Sequence, residues 1–244
     1  MKFTNCTTLV WALCIAGVLT ACTSVPVSEE ARSSADVENI DTPATEPLTP
    51  FQEKVLSLKA QPNLYTQGVT ESNGQLSPSI KKQFTDAVAH KAKGELAEAE
   101  ALLKRLSQAQ PQLSGVWLTL AEIECSKAET SSLEKCETYA TNAIKANELN
   151  LNAHILIALV YRKKGQFSQA LHHYNKALEV WPAFPEAYRN RGILYDLYLG
   201  EKHMALDDYT LYQALLDKPS RQVKGWMADL QRQIEAQQDS GGML

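Results

Sequence analysis

The feature that most constrains this chain is a punctuation by glycine and proline that recurs about every 34 residues after Ser79. The clearest copy runs from Leu151 to Phe184, where two apolar-striped stretches flank a Lys-Gly-Gln-Phe turn and a proline follows the second stretch. This spacing predicts two short helices joined by a turn, repeated along the chain. One such pair cannot bury its apolar face alone, so the pairs are expected to stack into an array.

Small and aromatic residues fill regular places in this copy: Ala158, Tyr161, Gly165, Phe167, Ala170, Tyr174, Ala177 and Pro182. The pattern resembles the tetratricopeptide repeat. That resemblance implies an all-α fold, a right-handed α-solenoid of about four helix hairpins with a C-terminal capping helix. His154 stands where the family usually has tryptophan, and we expect a partly buried, hydrogen-bonded histidine there.

Weaker copies surround the clear one, so that the repeats are predicted at about 80–113, 114–150, 151–184 and 185–219. The second copy carries about three extra residues, which we place in the loop between its helices. The fourth gains one residue before Gly200. A capping helix is predicted over 220–238 and a frayed tail over 239–244. Trp226 on the capping helix packs into the core in one interpretation and anchors a partner in the other.

The N-terminal residues predict that the chain is exported from the cytoplasm. The apolar run from Leu9 to Leu19 is too short to cross a bilayer but suits a secretory signal. It ends in Leu19-Thr20-Ala21-Cys22, which resembles the lipobox of bacterial lipoproteins. The resemblance implies a signal peptide over 1–21, acylation of Cys22 with palmitate among the chains, and, because Thr23 is not Asp, sorting to the outer membrane. A plain secretory signal or a short buried helix is the alternative.

Residues 22–79 are predicted to carry the lipid and form a mostly disordered tether. Between Thr23 and Pro50 six acidic residues and four prolines accompany one arginine, a composition that cannot bury enough apolar surface to fold. A short amphipathic helix could form from Phe51 to Ala60, but Pro62, Gly68 and Gly74 are expected to prevent regular structure in the rest of the tether.

Two cysteines remain once the signal has been removed and Cys22 carries lipid. Cys125 and Cys136 flank the predicted long loop. In an oxidising periplasm they favour a disulfide, and two buried thiols are the alternative.

Composition and motifs argue against catalysis and nucleic-acid binding. A net charge of −4 does not supply the clustered lysine and arginine that phosphates need. The chain contains no phosphate loop, nucleophile elbow or metal-binding motif. We therefore predict a protein that is not an enzyme and has no catalytic residues, cofactor or metal.

The resemblance implies a concave groove lined by the first helix of each repeat. Transferred onto this chain, the family's groove positions are Leu118, Glu122, Asn152, Ile155, Leu159, Arg162, Arg189, Ile193 and Asp196. Such a lining suits a peptide with apolar side chains and a carboxylate, which arginine can bind through two hydrogen bonds. Alternatively, these charges only keep an exposed face soluble, or the apolar groove residues support a homodimer.

Anchor and repeats together predict an outer-membrane scaffold that faces the periplasm and binds an envelope protein or peptide. Lipoproteins of this layout resemble those that assist assembly of pili or secretion channels. One alternative is an adaptor that recruits peptidoglycan hydrolases or synthases. Another is an envelope enzyme whose site has no recognisable motif.

Overall fold

The computed structural model describes residues 47–72, 76–127 and 129–241, and every regular element in these ranges is helical. The elements are α1 (Pro50–Ala60), α2 (Leu64–Ser72), α3 (Pro78–Ala92), α4 (Leu96–Ala109), α5 (Ser114–Ser126), α6 (Thr130–Ala146), α7 (Leu151–Lys163), α8 (Phe167–Val180), α9 (Pro185–Leu194), a π-helix (Tyr195–Leu199), α10 (Lys202–Leu215) and α11 (Arg221–Gly241). None of these helices combines the length and the apolar character that crossing a bilayer requires.

Four hairpins follow one another along the chain. Helix α3 packs on α4, α5 on α6, α7 on α8, and α9 on α10, while each second helix also contacts the first helix of the next hairpin. Helix α11 packs on α10 and buries Val223, Leu230 and Ile234 against the last hairpin. The predicted all-α solenoid of four hairpins with a capping helix is therefore confirmed.

Small residues sit where paired helices approach most closely. Ala158 and Ala170 of the third hairpin are both completely buried. At Gly192 of α9 the approach is closer still, because an added Cβ would lie 2.7 Å from the ring of Tyr209 on α10. Only glycine fits this contact, so the packing of the fourth hairpin depends on it.

The extra residues of the second repeat lie in a helix and not in a loop, so that prediction was wrong. Only three residues separate the end of α5 from the start of α6, the same number as between α7 and α8 in the third repeat. The insertion instead lengthens α6 to 17 residues, against 14 in α8. A disulfide joins Cys125 in the last turn of α5 to Cys136 in α6, with 5.3 Å between the two Cα atoms.

The extra residue of the fourth repeat is also absorbed within a helix. The end of the first helix widens into the π-helix, the usual result of one inserted residue. Gly200 then ends it with a φ of 71°, a left-handed conformation that glycine adopts without strain. This widening moves Leu197 and Tyr198 outward, and Leu197 is 69% exposed.

Two helices occupy part of the segment that was predicted to be a mostly disordered tether. The short helix considered possible over 51–60 forms as α1, whereas α2 lies where regular structure was not expected, so the prediction was wrong for residues 64–72. The side chains of Thr49 and Gln52 form a capping box that begins α1, and Pro50 takes the first helical position, where its missing N–H costs nothing. Asn63 accepts hydrogen bonds from the first N–H groups of α2. Pro62 therefore separates two helices, and Gly68 is tolerated inside the second.

We call these two helices the strap, because they run back along the array. Val55 of α1 is 8% exposed and belongs to a core cluster with Leu178, Tyr188 and Leu215 of the last two repeats. Tyr65 of α2 shares a cavity of about 770 Å³ with Ile80 and other residues of the first two repeats. The strap thus leads from the fourth repeat back towards the first.

Helix α11 extends through Gly241, three residues beyond the predicted end of the capping helix. The signal peptide, Cys22 and residues 23–46 of the tether lie outside the described residues, as do residues 73–75, 128 and 242–244.

Replacing Gly192 with alanine tests the close approach of α9 and α10. The new methyl group must displace the Tyr209 ring, and we expect the free energy of unfolding in urea to fall by about 2 kcal/mol. Gly225→Ala is the matched control, since Gly225 lies in α11 with open space around it. That change should raise stability by about 0.5–1 kcal/mol. A Gly192→Ala protein as stable as the wild type would contradict the packing argument.

Candidate functional site

The groove residues predicted from the sequence lie on α5, α7, α9 and the π-helix. All of them are half-buried except Asn152, which is exposed. Glu122 forms an ion pair with Lys91 of α3, so its charge is already partnered at the N-terminal end of the groove. Ile155 and Ile193 pack against the core clusters beneath the groove. Leu118 of α5 and Leu159 of α7 are half-buried groove residues as well.

Arg162 has a more specific environment than the sequence indicates. Its guanidinium carbon lies 5.7 Å from the centroid of the Tyr198 ring, within the range of a cation–π contact. One terminal nitrogen, Nη1, is buried and meets no hydrogen-bond acceptor in the part of the chain that the structure describes. The hydroxyl of Tyr174 on α8 is likewise buried and has no partner there. Burial raises the pKa of Tyr174 to about 12, and the nearby charge of Arg162 opposes that rise.

Arg189 is used differently from the prediction. Its guanidinium carbon stands 5.6 Å from the centroid of the Trp226 ring on α11. Trp226 is half-buried and packs against the cluster that contains Tyr209 and Leu230. The arginine expected to bind a carboxylate thus stacks on the capping helix, and Trp226 both contributes to the core and faces the groove.

Asp196 lies beside a cavity of about 460 Å³ between the end of the first helix of repeat 4 and α11. Its Oδ2 accepts a hydrogen bond of 3.2 Å from the hydroxyl of Tyr209. Burial raises the pKa of Tyr209, and the negative charge of Asp196 raises it further. The other residues lining the cavity are Ile193, Leu197, Trp226, Asp229, Leu230 and Gln233.

Several of these side chains were not among the predicted site residues. Tyr198 and Leu197 reach the groove only because the π-helix widens the backbone, and the one signal for it was the extra residue before Gly200. Asp229 comes from α11, outside the repeat pattern. Tyr174 matched a core position of the pattern, and nothing in the sequence showed that its hydroxyl would lack a partner.

A buried polar group lies beneath this end of the groove. Arg191 of α9 forms two hydrogen bonds of 2.7 and 2.8 Å with Asp208 of α10 and one of 2.6 Å with Asn175 of α8. Burial raises the pKa of Asp208, while Arg191 and, more weakly, Lys54 of the strap oppose that rise. This cluster ties the last two repeats together under the groove.

Comparison with known proteins agrees with this geometry. Residues 158–196 match the family model of the TPR repeat. A TPR protein from Parabacteroides merdae has a similar structure, with 24% identity, 63% of this chain and 59% of that one covered, and a TM-score of 0.53. The MamA RS-1 ArsTM double mutant is 14% identical over 68% of this chain and 90% of that one, with a TM-score of 0.56.

Pseudomonas aeruginosa PilF is 13% identical over 64% of this chain and 69% of that one, with a TM-score of 0.56. At these identities the likeness shows the fold alone. The chain is therefore built as a TPR solenoid, an architecture typical of non-enzymatic scaffolds for protein binding.

Outside the groove, the histidine at the usual TPR tryptophan position forms a second polar cluster. His154 is 6% exposed, and its Nε2 lies 2.9 Å from the carbonyl oxygen of Glu148, so Nε2 must carry the proton. Its Nδ1 lies 3.0 Å from Nδ1 of His173 and accepts the proton that His173 donates. His154 is thus neutral in this arrangement. Among the described residues no group of three metal-ligating side chains has a suitable arrangement.

Protonating His154 would place two donors against each other, because its Nδ1 faces Nδ1 of His173. Burial lowers the pKa of His154, and burial together with the charges of His154 and His172 lowers the pKa of His173 to about 4. His172, Lys176, Glu179 and Glu148 face the same cavity of about 560 Å³. In the unfolded chain these histidines titrate near the ordinary value of 6.5. The folded state therefore binds fewer protons than the unfolded state between pH 6.5 and about 4.

Stability should consequently be complete above about pH 6.5 and fall as the pH drops towards 4. For the half-buried His173 we expect a loss of about 2 kcal/mol between pH 7.5 and pH 4.5, measured by urea unfolding. His173→Gln keeps a donor but does not titrate, so it should reduce the pH dependence by that amount. The exposed His203→Gln should leave it unchanged. Identical pH profiles for wild type and His173→Gln would contradict the assignment.

Proposed function

We propose that this protein is a lipid-anchored scaffold at the outer membrane whose TPR groove binds a segment of another envelope protein. In this proposal, binding assists assembly of a pilus or secretion apparatus. The fold supports a binding role, since TPR solenoids present an extended concave surface to protein partners.

The observation that carries the binding proposal is the pair of buried donors at Arg162 and Tyr174. A buried polar group without a partner costs about 1–3 kcal/mol, and proteins rarely keep one that has no use. The Nη1 of Arg162 and the hydroxyl of Tyr174 have no acceptor among the described residues. A partner's carboxylate would supply it and would form charge-assisted hydrogen bonds with the guanidinium.

Tyr198 is the side chain that a bound carboxylate must displace. Its ring covers Arg162 and packs 5.1 Å, centroid to centroid, from Phe167. The ring is held only at this edge, because Tyr198 is 44% exposed and stands in the five-residue π-helix before Gly200. Rotation of the Tyr198 side chain would open the donors without disturbing the buried core of the repeat.

The anchoring proposal rests on the Leu19-Thr20-Ala21-Cys22 motif and on Thr23. Several acyl chains on one terminus hold a protein stably at a membrane, whereas a single chain binds only weakly. Because α1 packs on α10, the chain coming from Cys22 would join the solenoid at its fourth repeat and not at its first.

The pilus or secretion role rests on the combination of a predicted lipid anchor with a TPR array. PilF of Pseudomonas aeruginosa shares the fold of this chain, and that likeness supports the architecture of the proposal. The role itself is the part that experiment has to establish.

The lipid anchor is tested by feeding cells a clickable palmitate analogue and fractionating their membranes. We expect the wild type to take up the label and to appear in the outer-membrane fraction. Cys22→Ser should remove the label because no thiol remains to be acylated. Cys14→Ser, in the apolar run, should keep it. Labelling that survives Cys22→Ser would refute the anchor, and Thr23→Asp should move the labelled protein to the inner membrane.

The groove is tested by site-specific photocrosslinking in intact cells. A benzophenone amino acid at Asn152, which is exposed at the groove, should capture a discrete envelope protein. The same amino acid at Gln169, exposed on the second helix of the same hairpin, should not. Arg162→Gln should lower the yield at Asn152 about tenfold, equivalent to about 1.4 kcal/mol of binding energy.

Two further variants separate binding from stability. Lys163→Gln removes the same charge from an exposed neighbour and should leave the yield unchanged. Tyr174→Phe removes the orphaned hydroxyl, so it should lower the yield while leaving the folded protein at least as stable as the wild type. Equal capture from Asn152 and Gln169, or capture that does not depend on Arg162, would reject the groove.

A further inference from the structure

The cavity between the π-helix and α11 has a chemistry different from that of the Arg162 site. Its walls are apolar, formed by Ile193, Leu197 and Leu230 with the indole of Trp226. Two carboxylates, Asp196 and Asp229, also line it. An apolar space with acidic groups suits a side chain that has an alkyl stem and a positive head.

The charge of Asp196 is not neutralised by the protein around it. Within the described residues its only hydrogen-bond donor is the neutral hydroxyl of Tyr209, and no cation lies within ion-pair distance of it. Asp229 is paired with Arg232 on its own helix, but its side chain is mostly exposed and the pair is therefore weak. The cavity thus retains at least one uncompensated carboxylate beside an apolar wall.

The structure already places one cation on this wall. The guanidinium of Arg189 stacks on the Trp226 ring at 5.6 Å. Indole is the aromatic side chain that attracts cations most strongly. Because Arg232 already pairs with Asp229 and Arg189 stacks on the indole, the carboxylate of Asp196 is the group that favours a further cation over an anion.

We propose that this cavity binds a lysine or arginine side chain of the segment that occupies the groove. The inference rests on the proposed groove function and specifies its partner. Arg162 and Asp196 hold equivalent places in successive repeats, on the first helix or on the π-helix that continues it. Neighbouring repeats therefore recognise opposite charges, a carboxylate at Arg162 and a cation at Asp196.

The geometry also sets the spacing of the two charges in the partner. Helices α7 and α9 are in contact, and packed helices lie about 8–10 Å apart. An extended chain covers about 3.3 Å per residue. The acidic and basic residues of the bound segment should therefore be about three positions apart, which distinguishes this site from a groove that binds any apolar peptide.

A pair of matched peptides tests the proposal. The first is acetyl-Glu-Leu-Ala-Lys-Leu-amide, and the second has norleucine, which has a similar alkyl chain without the ammonium group, in place of lysine. Binding to the full chain in detergent is followed by the indole N–H resonance of Trp226, with those of Trp117 and Trp181 as internal references. We expect the lysine peptide to bind about tenfold more tightly, and the difference to shrink as salt is added.

Two variants assign the effect to the carboxylates. Asp196→Asn keeps an acceptor for Tyr209 and should abolish the preference for lysine. Asp229→Asn, on the exposed side of the cavity, cannot disturb the core and should reduce the preference in part. Equal binding of the two peptides, a preference that survives Asp196→Asn, or no movement of the Trp226 resonance would each overturn the proposal. If photocrosslinking from Asn152 still depended on Arg162, the groove function would stand without the cation site.

Discussion

The close approach of paired helices through alanine and glycine is the constraint on which the rest of this structure depends. Ala158 and Ala170 allow the helices of the third hairpin to come close together, and Gly192 allows the ring of Tyr209 to lie directly against α9. Larger side chains then fill the spaces between hairpins. Because this contact fixes where each first helix lies, it also fixes the places of Arg162, Arg189 and Asp196 in the groove.

Aromatic rings determine how the groove uses its charges. Tyr198 covers Arg162 and Trp226 stacks with Arg189, so neither arginine projects freely into solvent. A bound partner would meet Arg162 behind the ring of Tyr198. Arg189 would already be in contact with Trp226, beside the cavity that Asp196 lines. In the function proposed above, the groove would distinguish ligands by the order of their charges, because each charged site is shaped by a different neighbouring element.

Sequence reasoning succeeded where the pattern is local and failed where an element depends on distant contacts. The 34-residue spacing placed every hairpin. It misplaced the extra residues of the second repeat because a pattern shows only that residues are extra, while a helix such as α6 can absorb them. Helix α2 was missed, and α1 was only considered possible, because helices this short are marginal alone. The other buried members of the cluster that contains Val55 begin at Leu151, 96 positions further along the chain.

The sequence by itself determined the repeating helices, the capping helix and the residue types along the groove, since each follows from spacing between near neighbours. Only the tertiary structure decided that Tyr174 and Arg162 would lack an acceptor, that Arg189 would stack on Trp226, and that Asp196 would border a cavity. Those features arise where separate elements meet. The position of one element relative to another is set by packing, which no local spacing encodes.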